Sequence, residues 1–209
     1  MNKLSSLSRL AAAVSLALVG ATVASAEQNG WDKHRTTGWA KATKVYRTDH
    51  TQVPGGCPIE SPTGKFLFTA RNPGSGLDIF VNQQAPNSKL FEFGDPLPAP
   101  VNDAGLANDF CPTPRPDGQL YFVSNRSGGC GSADMHVAIN NPATGWDEPV
   151  NLGCEPHGPN TPGLELSPSI LETRWGTFLL YSTDYHTGNQ DIYVSRMRKD
   201  GTFRPGKRL

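Results

Sequence analysis

Four residues of this chain have the side-chain chemistry of a ligand site: His50, Asp109, His157 and Glu165. An imidazole changes charge near neutral pH, and carboxylate oxygens are what a hard cation such as Ca²⁺ prefers. Asp109 and Glu165 each stand three residues before a proline, Pro112 and Pro168, so they occupy matched positions. The corresponding residue before Pro58 is Gly55, which interrupts any ring of carboxylates. The plain alternative is a solvated charge on a rim, where acidic residues most often lie. A second matched set is Asp78, Asp134 and Asp191, each followed at the third position by a valine. One such aspartate per repeat suits a local role, accepting hydrogen bonds from the N–H groups of the glycine-rich loop before it.

No further assembled chemistry is legible. His34, His136 and His186 complete the five histidines, and none falls in a metal-binding or protease motif. His136 sits inside a strand pattern and reads as a packing residue. There is no Gly-x-Ser-x-Gly elbow. The stretch Arg126-Ser127-Gly128-Gly129 leads into a strand, so it is a turn and not a phosphate cradle. Asp147-Glu148 falls on an outer strand, away from any cavity.

The elements that position these residues come as a block written three times. Pro58, Pro112 and Pro168 open the copies, Asp78, Asp134 and Asp191 recur inside them, and the period is 54 to 57 residues. A fixed period of that size marks stacked or radially arranged units. Each unit runs through a proline-rich short strand and a tight turn such as Pro116-Asp117-Gly118. A strong strand, a glycine-rich loop, the Asp-initiated strand and a closing strand such as Gly145–Leu152 complete it. Proline presets φ and glycine accepts positive φ, which gives the turns a mechanism. No stretch of the chain after the leader has helical periodicity, so the class is all-β. Four short antiparallel strands per unit match a blade of a β-propeller. The expected blades are 47–102, 103–152 and 153–209, preceded by an extension over 27–37 and a closing strand at 38–45.

In such a blade the loop carrying Cys130 and the crossover carrying Cys154 emerge on one side, so these two cysteines are expected to pair. Cys57 and Cys111 stand at equivalent positions of neighbouring units. Their pairing stays open, because neighbouring innermost strands can hold two cysteines beyond bonding distance.

The run Pro116-Asp117-Gly118-Gln119-Leu120-Tyr121-Phe122-Val123-Ser124-Asn125-Arg126, its glycine-rich loop and Asp134–Val137 resemble the WD-repeat-like propeller repeat of TolB-like periplasmic proteins. The resemblance covers residues 38–209. It departs in the third unit, where Leu171–Gly176 replaces the Pro-Asp-Gly turn. It implies a periplasmic or secreted interaction module.

The N-terminus carries an export pattern: Lys3 and Arg9, an apolar run from Leu10 to Val23, then Ala24-Ser25-Ala26 as a cleavage site, giving a signal peptide over 1–26. That run is shorter than the roughly 20 residues of a membrane span. Removing the leader takes two cations from a balance of 19 basic and 19 acidic side chains. Without a concentrated basic face, nucleic acid is excluded as a partner.

The expectation is therefore an exported binding module that presents channel-mouth loops to a protein, peptide or cell-envelope saccharide, with no resident cofactor. The opposing class is a hydrolase or lyase acting on a sugar or lactone with a channel-bound cation, Ca²⁺, held among His50, Asp109, His157 and Glu165. Three units are fewer than the 4–8 blades of known propellers. The chain is thus expected to be an incomplete propeller, either a piece of a longer one or half of a homodimer.

Overall fold

Alternation of apolar and polar residues decides how this chain folds. The computed structural model describes residues 44–209 except 75, 104 and 106. The leader, the 27–37 extension and most of the 38–45 strand lie outside the described residues. Thirteen strands and no helix are present among the described residues. They form three separate antiparallel sheets, each built from strands consecutive in the chain.

The first sheet is β1 (Gly56–Glu60), β2 (Phe66–Arg71), β3 (Asp78–Gln83) and β4 (Asp95–Pro96). The second is β5 (Asp109–Pro114), β6 (Gln119–Ser124) and β7 (Asp134–Asn141), with β8 (Gly145–Trp146) and β9 (Val150–Asn151) both paired to β7. The third is β10 (Glu165–Thr173), β11 (Gly176–Thr183), β12 (Asp191–Arg196) and β13 (Lys207–Arg208). All three lie in the compact unit Val45–Leu209. The three sheets stay separate, so among the described residues the architecture is all-β and antiparallel without the closed ring of a propeller.

Side chains two apart share a sheet face, and this sorts the core into two layers. Phe68 and Ile79 of the first sheet meet Leu120, Phe122 and Ala138 of the second. Tyr121, Val123 and Met135, on the opposite face of the second sheet, meet Leu179, Tyr181 and Tyr193 of the third. The middle sheet is therefore covered on both sides, and its strand β6 reads as a continuous apolar run because both faces are inside.

Each first strand is bulged at the same place. The register of β1 shifts between Gly56 and Ile59, of β5 between Phe110 and Thr113, and of β10 between Leu166 and Ser169. A bulge inserts one unpaired residue and bends the strand. Here that residue is Cys57, Cys111 or Ser167, with φ of 45°, 48° and 53°. Positive φ is uncommon for residues with a Cβ, and it persists where the surroundings hold it. Each bulge is followed by a proline, whose missing N–H removes a donor that the ladder could not have used.

The three bulges are tied to each other. Cys57 and Cys111 form a disulfide across the first two sheets, with Cα atoms 4.8 Å apart. The Thr113 hydroxyl donates to the Pro168 carbonyl across the second and third. The expectation that innermost strands might keep Cys57 and Cys111 apart thus gives way to a bond, because the bulges push both Cα atoms toward one another. Cys130 and Cys154 are bonded as well, closing a loop over 24 positions, and no free cysteine remains.

Candidate functional site

Asp109 and Glu165 begin β5 and β10, at matched positions, and both are buried with 0% exposure rather than solvated on a rim. Asp109 Oδ1 accepts from Arg126 Nη2 at 2.8 Å, and Oδ2 accepts from the Asp103 N–H at 2.8 Å. Arg126 in turn donates to the carbonyls of Pro100 and Val101 and to Ser124 Oγ. Its guanidinium lies over the Phe122 ring at 5.4 Å. Asp109 is thus the anchor of a knot that fastens the crossover between the first two sheets.

Among the described residues, no cation pairs with Glu165. Its Oε1 accepts from Thr161 Oγ1 at 2.5 Å and from Thr183 Oγ1 at 2.8 Å. Its Oε2 is buried without a partner. Burial pushes this carboxyl above the usual range; the two threonine hydroxyls pull back, and neighbouring Asp134 pushes further up. The matched residue of the first sheet, Gly55, has φ of 121°, and a Cβ there would stand 2.7 Å from the Ala70 carbonyl. No carboxylate side chain fits at that position without moving β2, which explains why the series has two members.

His50 and His157 are exposed. His50 sits at φ 61° in a tight turn, its N–H donating to the Arg47 carbonyl at 2.9 Å. The His157 N–H donates to the Cys154 carbonyl, and its own carbonyl accepts from Arg198 Nη2 at 2.7 Å. The four sequence-selected residues share no hydrogen-bond partner. Among the described residues, no three His, Cys, Asp or Glu gather closely enough to hold a metal ion.

The recurrent aspartates divide by copy. Asp134 is buried, and its Oδ2 accepts from the Cys130 N–H in the preceding loop at 2.5 Å and from Asn151 Nδ2 at 3.1 Å, the local role read from the sequence. Asp191 pairs instead with Thr187 Oγ1 and Arg208. Burial, with Asp109 nearby, raises the carboxyl of Asp78. His136 is buried, and that burial lowers its imidazole below the ordinary value; its Nδ1 lies 3.0 Å from the Asp134 carbonyl. The acid–imidazole pair that does form is one the sequence did not single out: His186 Nε2 lies 3.3 Å from Glu155 Oε1, its ring stacked on Tyr193.

The sequence also missed the concave feature where the three first strands meet. Cys57-Pro58-Ile59, Cys111-Pro112-Thr113 and Ser167-Pro168-Ser169 wall a recess of about 230 Å³. The same three positions of each copy line it, so the repeat itself carried the signal. The recess presents proline rings, a disulfide and hydroxyls, and no ionisable side chain. A second hollow of about 270 Å³ lies at the turns that follow, between Pro62, Arg115, Pro116 and Glu172. There Arg115 bridges to Glu172 at 2.5 Å.

No family model matches this chain, and no curated protein matches it. Together with three sheets that stay separate, this overturns the resemblance to TolB-like, WD-repeat-like propellers; a repeated Pro-Asp-Gly turn before a strand is common hairpin chemistry and does not carry a family by itself. Among solved structures the chain is similar to the endo-arabinase of Bacteroides thetaiotaomicron VPI-5482, at 13% identity and a TM-score of 0.48, over 80% of this chain. The chain spans 59% of that protein's length. A likeness of that degree assigns neither activity nor substrate.

Proposed function

We propose that this chain is an exported binding module whose three sheets act as blades around the recess walled by Pro58, Pro112 and Pro168, and that the recess takes one ring of a cell-envelope saccharide. The observation that carries the reading is the recess itself: three matched strand bulges, fixed by the Cys57–Cys111 disulfide and the Thr113–Pro168 hydrogen bond. A site held rigid in advance loses little entropy on binding. Its volume of about 230 Å³ is below the about 300–1,000 Å³ of drug-sized pockets, which suits a single ring. Proline rings offer apolar faces to a sugar's C–H surface, while Ser167 and Ser169 offer hydroxyls. Two disulfides and the N-terminal export pattern support a periplasmic or secreted location. Calorimetric titration of the mature protein with envelope oligosaccharides tests this. Ser169→Trp, at an exposed lip position, should abolish the heat of binding while leaving the fold intact. Undiminished binding in that variant would sink the assignment of the recess.

One observation favours the opposing class, a hydrolase or lyase acting on a sugar or lactone. Glu165 is a carboxyl raised by burial with one oxygen unpartnered, the environment that favours the protonated, proton-donating form of a carboxylic acid. Turnover of glycosidic or lactone substrates, with or without Ca²⁺, that disappears in Glu165→Gln would promote this reading over binding alone.

A further inference from the structure

The recess at the three bulges does not end at Thr113. The hollow that follows it is walled by the next residues of the same three segments. Thr113 to Pro116 carry on along β5 into its turn, Ile170 and Glu172 lie further along β10, and Pro62 lies just beyond β1. Thr113 lines both spaces. Recess and hollow are thus consecutive stretches of one groove that follows the first strands. From Pro112 in the one to Arg115 in the other is about 10 Å at the rise of a strand. The two spaces, of about 230 and about 270 Å³, are nearly equal. Two like compartments set end to end have the form of two linked rings.

The compartments differ in chemistry. The recess has no ionisable side chain, whereas the hollow has Arg115 and Glu172, bridged at 2.5 Å. Arg115 Nη2 also meets Asp117 Oδ2 at 3.2 Å. One guanidinium against two carboxylates leaves an excess of one negative charge. The side chain of Arg115 is only 14% exposed and its Nε is buried, while those of Asp117 and Glu172 are 45% and 67% exposed. The cation is therefore engaged behind, and the accessible charge is carboxylate. Glu172 is held in place by Arg115 before any ligand arrives, which spares the cost of ordering it. A fixed carboxylate oxygen accepts N–H and O–H donors, and binds an ammonium group most strongly. A ring carrying a carboxylate would meet like charge there.

Resting on the reading of the recess as a sugar site, we propose that the hollow is a second subsite of the same groove. It takes a ring bearing a free ammonium group, as in an unacetylated amino sugar, and Glu172 is the residue that selects it. The first ring sits among Pro58, Pro112 and Pro168. The second lies over Pro62, Pro116 and Ile170, and its ammonium donates to the Glu172 carboxylate. Arg115 is a positioning residue that holds that carboxylate.

The test is calorimetric titration of the mature protein with glucosamine, with the glucosamine disaccharide and with its N-acetylated counterpart, near-UV circular dichroism confirming the fold of every variant. The unacetylated disaccharide should bind about tenfold more tightly than either of the others, the worth of one charge-assisted hydrogen bond at a partly solvated site. Glu172→Gln should bring it down to the level of the acetylated disaccharide. Glu148→Gln, at an exposed carboxylate between β8 and β9, should leave the preference intact. Ser169→Trp should remove the binding of both disaccharides. Equal binding of the two disaccharides, or of glucosamine alone, would overturn the second subsite while leaving the recess as a sugar site. So would a preference that survives Glu172→Gln or disappears equally in Glu148→Gln. No heat with either disaccharide, or binding undiminished in Ser169→Trp, would remove the recess reading and the subsite with it.

Discussion

Replacing Arg126, in the loop between β6 and β7, with methionine should destabilise this protein strongly. Met keeps much of the apolar stem that lies against Phe122 and removes the charge. What remains is Asp109, fully buried, accepting one N–H from Asp103 and facing no cation. Removing one partner of a buried ion pair costs about 3–5 kcal/mol, because the other charge is left uncompensated. The carbonyls of Pro100 and Val101 lose their donor as well, at 3.2 and 2.7 Å in the native protein, which places the expected loss in the upper half of that range. For a chain of this size, 1 kcal/mol shifts the melting temperature by about 2–4 °C, so a fall of about 8–20 °C is expected. Differential scanning calorimetry reads it directly. The double variant Arg126→Met, Asp109→Asn should recover a substantial part, since the amide carries no charge to strand. A fall of less than about 3 °C in Arg126→Met, or no recovery in the double variant, would refute the view that Asp109 is structural and return it to the pool of ligand-site carboxylates.

Three further outcomes follow from the same geometry. Glu165 has its folded-state proton affinity raised above the unfolded one, so its contribution to stability is present below the unfolded value and is lost as pH rises through the folded value. Glu165→Gln should flatten the decline in melting temperature as pH rises above the ordinary carboxyl value, and stabilise the protein on the alkaline side of it. An unchanged slope would place the raised carboxyl elsewhere. His136 has the opposite sign of dependence: its proton affinity is lowered by burial, so its contribution is lost as pH falls below the ordinary imidazole value. His136→Gln should remove an acid-side decline in the same profile. The Cys57–Cys111 bond spans 54 positions and Cys130–Cys154 spans 24, for which chain entropy gives about 4 and about 3 kcal/mol. Paired Cys→Ser variants compared by denaturant unfolding should show the larger loss for the first pair; the reverse order would mean that native-state packing, not loop closure, dominates.

The sheets were legible in the sequence because period-two patterning and turn chemistry act over a few residues. Pro116-Asp117-Gly118 turns β5 into β6, with Gly118 at φ 84°, and the turn chemistry that sets this pairing lies within a few residues. The order of strands within each sheet is legible for the same reason: consecutive antiparallel strands need only short connections. The lack of a closed ring was legible only as a count, three units against the 4–8 blades of known propellers; how the outermost faces are covered was not, because it depends on long-range packing. Cys130 and Cys154 were paired correctly from loop placement alone. Cys57 and Cys111 were left open, because the bulge that joins them is a departure from regular strand geometry that no alternation pattern records.

The site residues show the same division more sharply. Matched spacing identified Asp109 and Glu165 as equivalent, and they are equivalent in place: each begins the first strand of its sheet and each is fully buried. Their chemistry differs because the residues around them differ between copies, even where the positions match, as Ser124 and Thr183 do. Asp109 meets Arg126 and stays an ionic anchor. Glu165 meets Thr161 and Thr183, hydroxyls that can hold one oxygen but bring no charge, and its second oxygen is left alone in a dry environment. Two carboxyls at one scaffold position thus differ, one held in an ion pair and one in a purely polar knot, by what the neighbouring segments supply. Spacing in the sequence locates such positions. Only the partners, brought in from 17 residues away for Asp109 and from 4 and 18 residues away for Glu165, decide what the position can do.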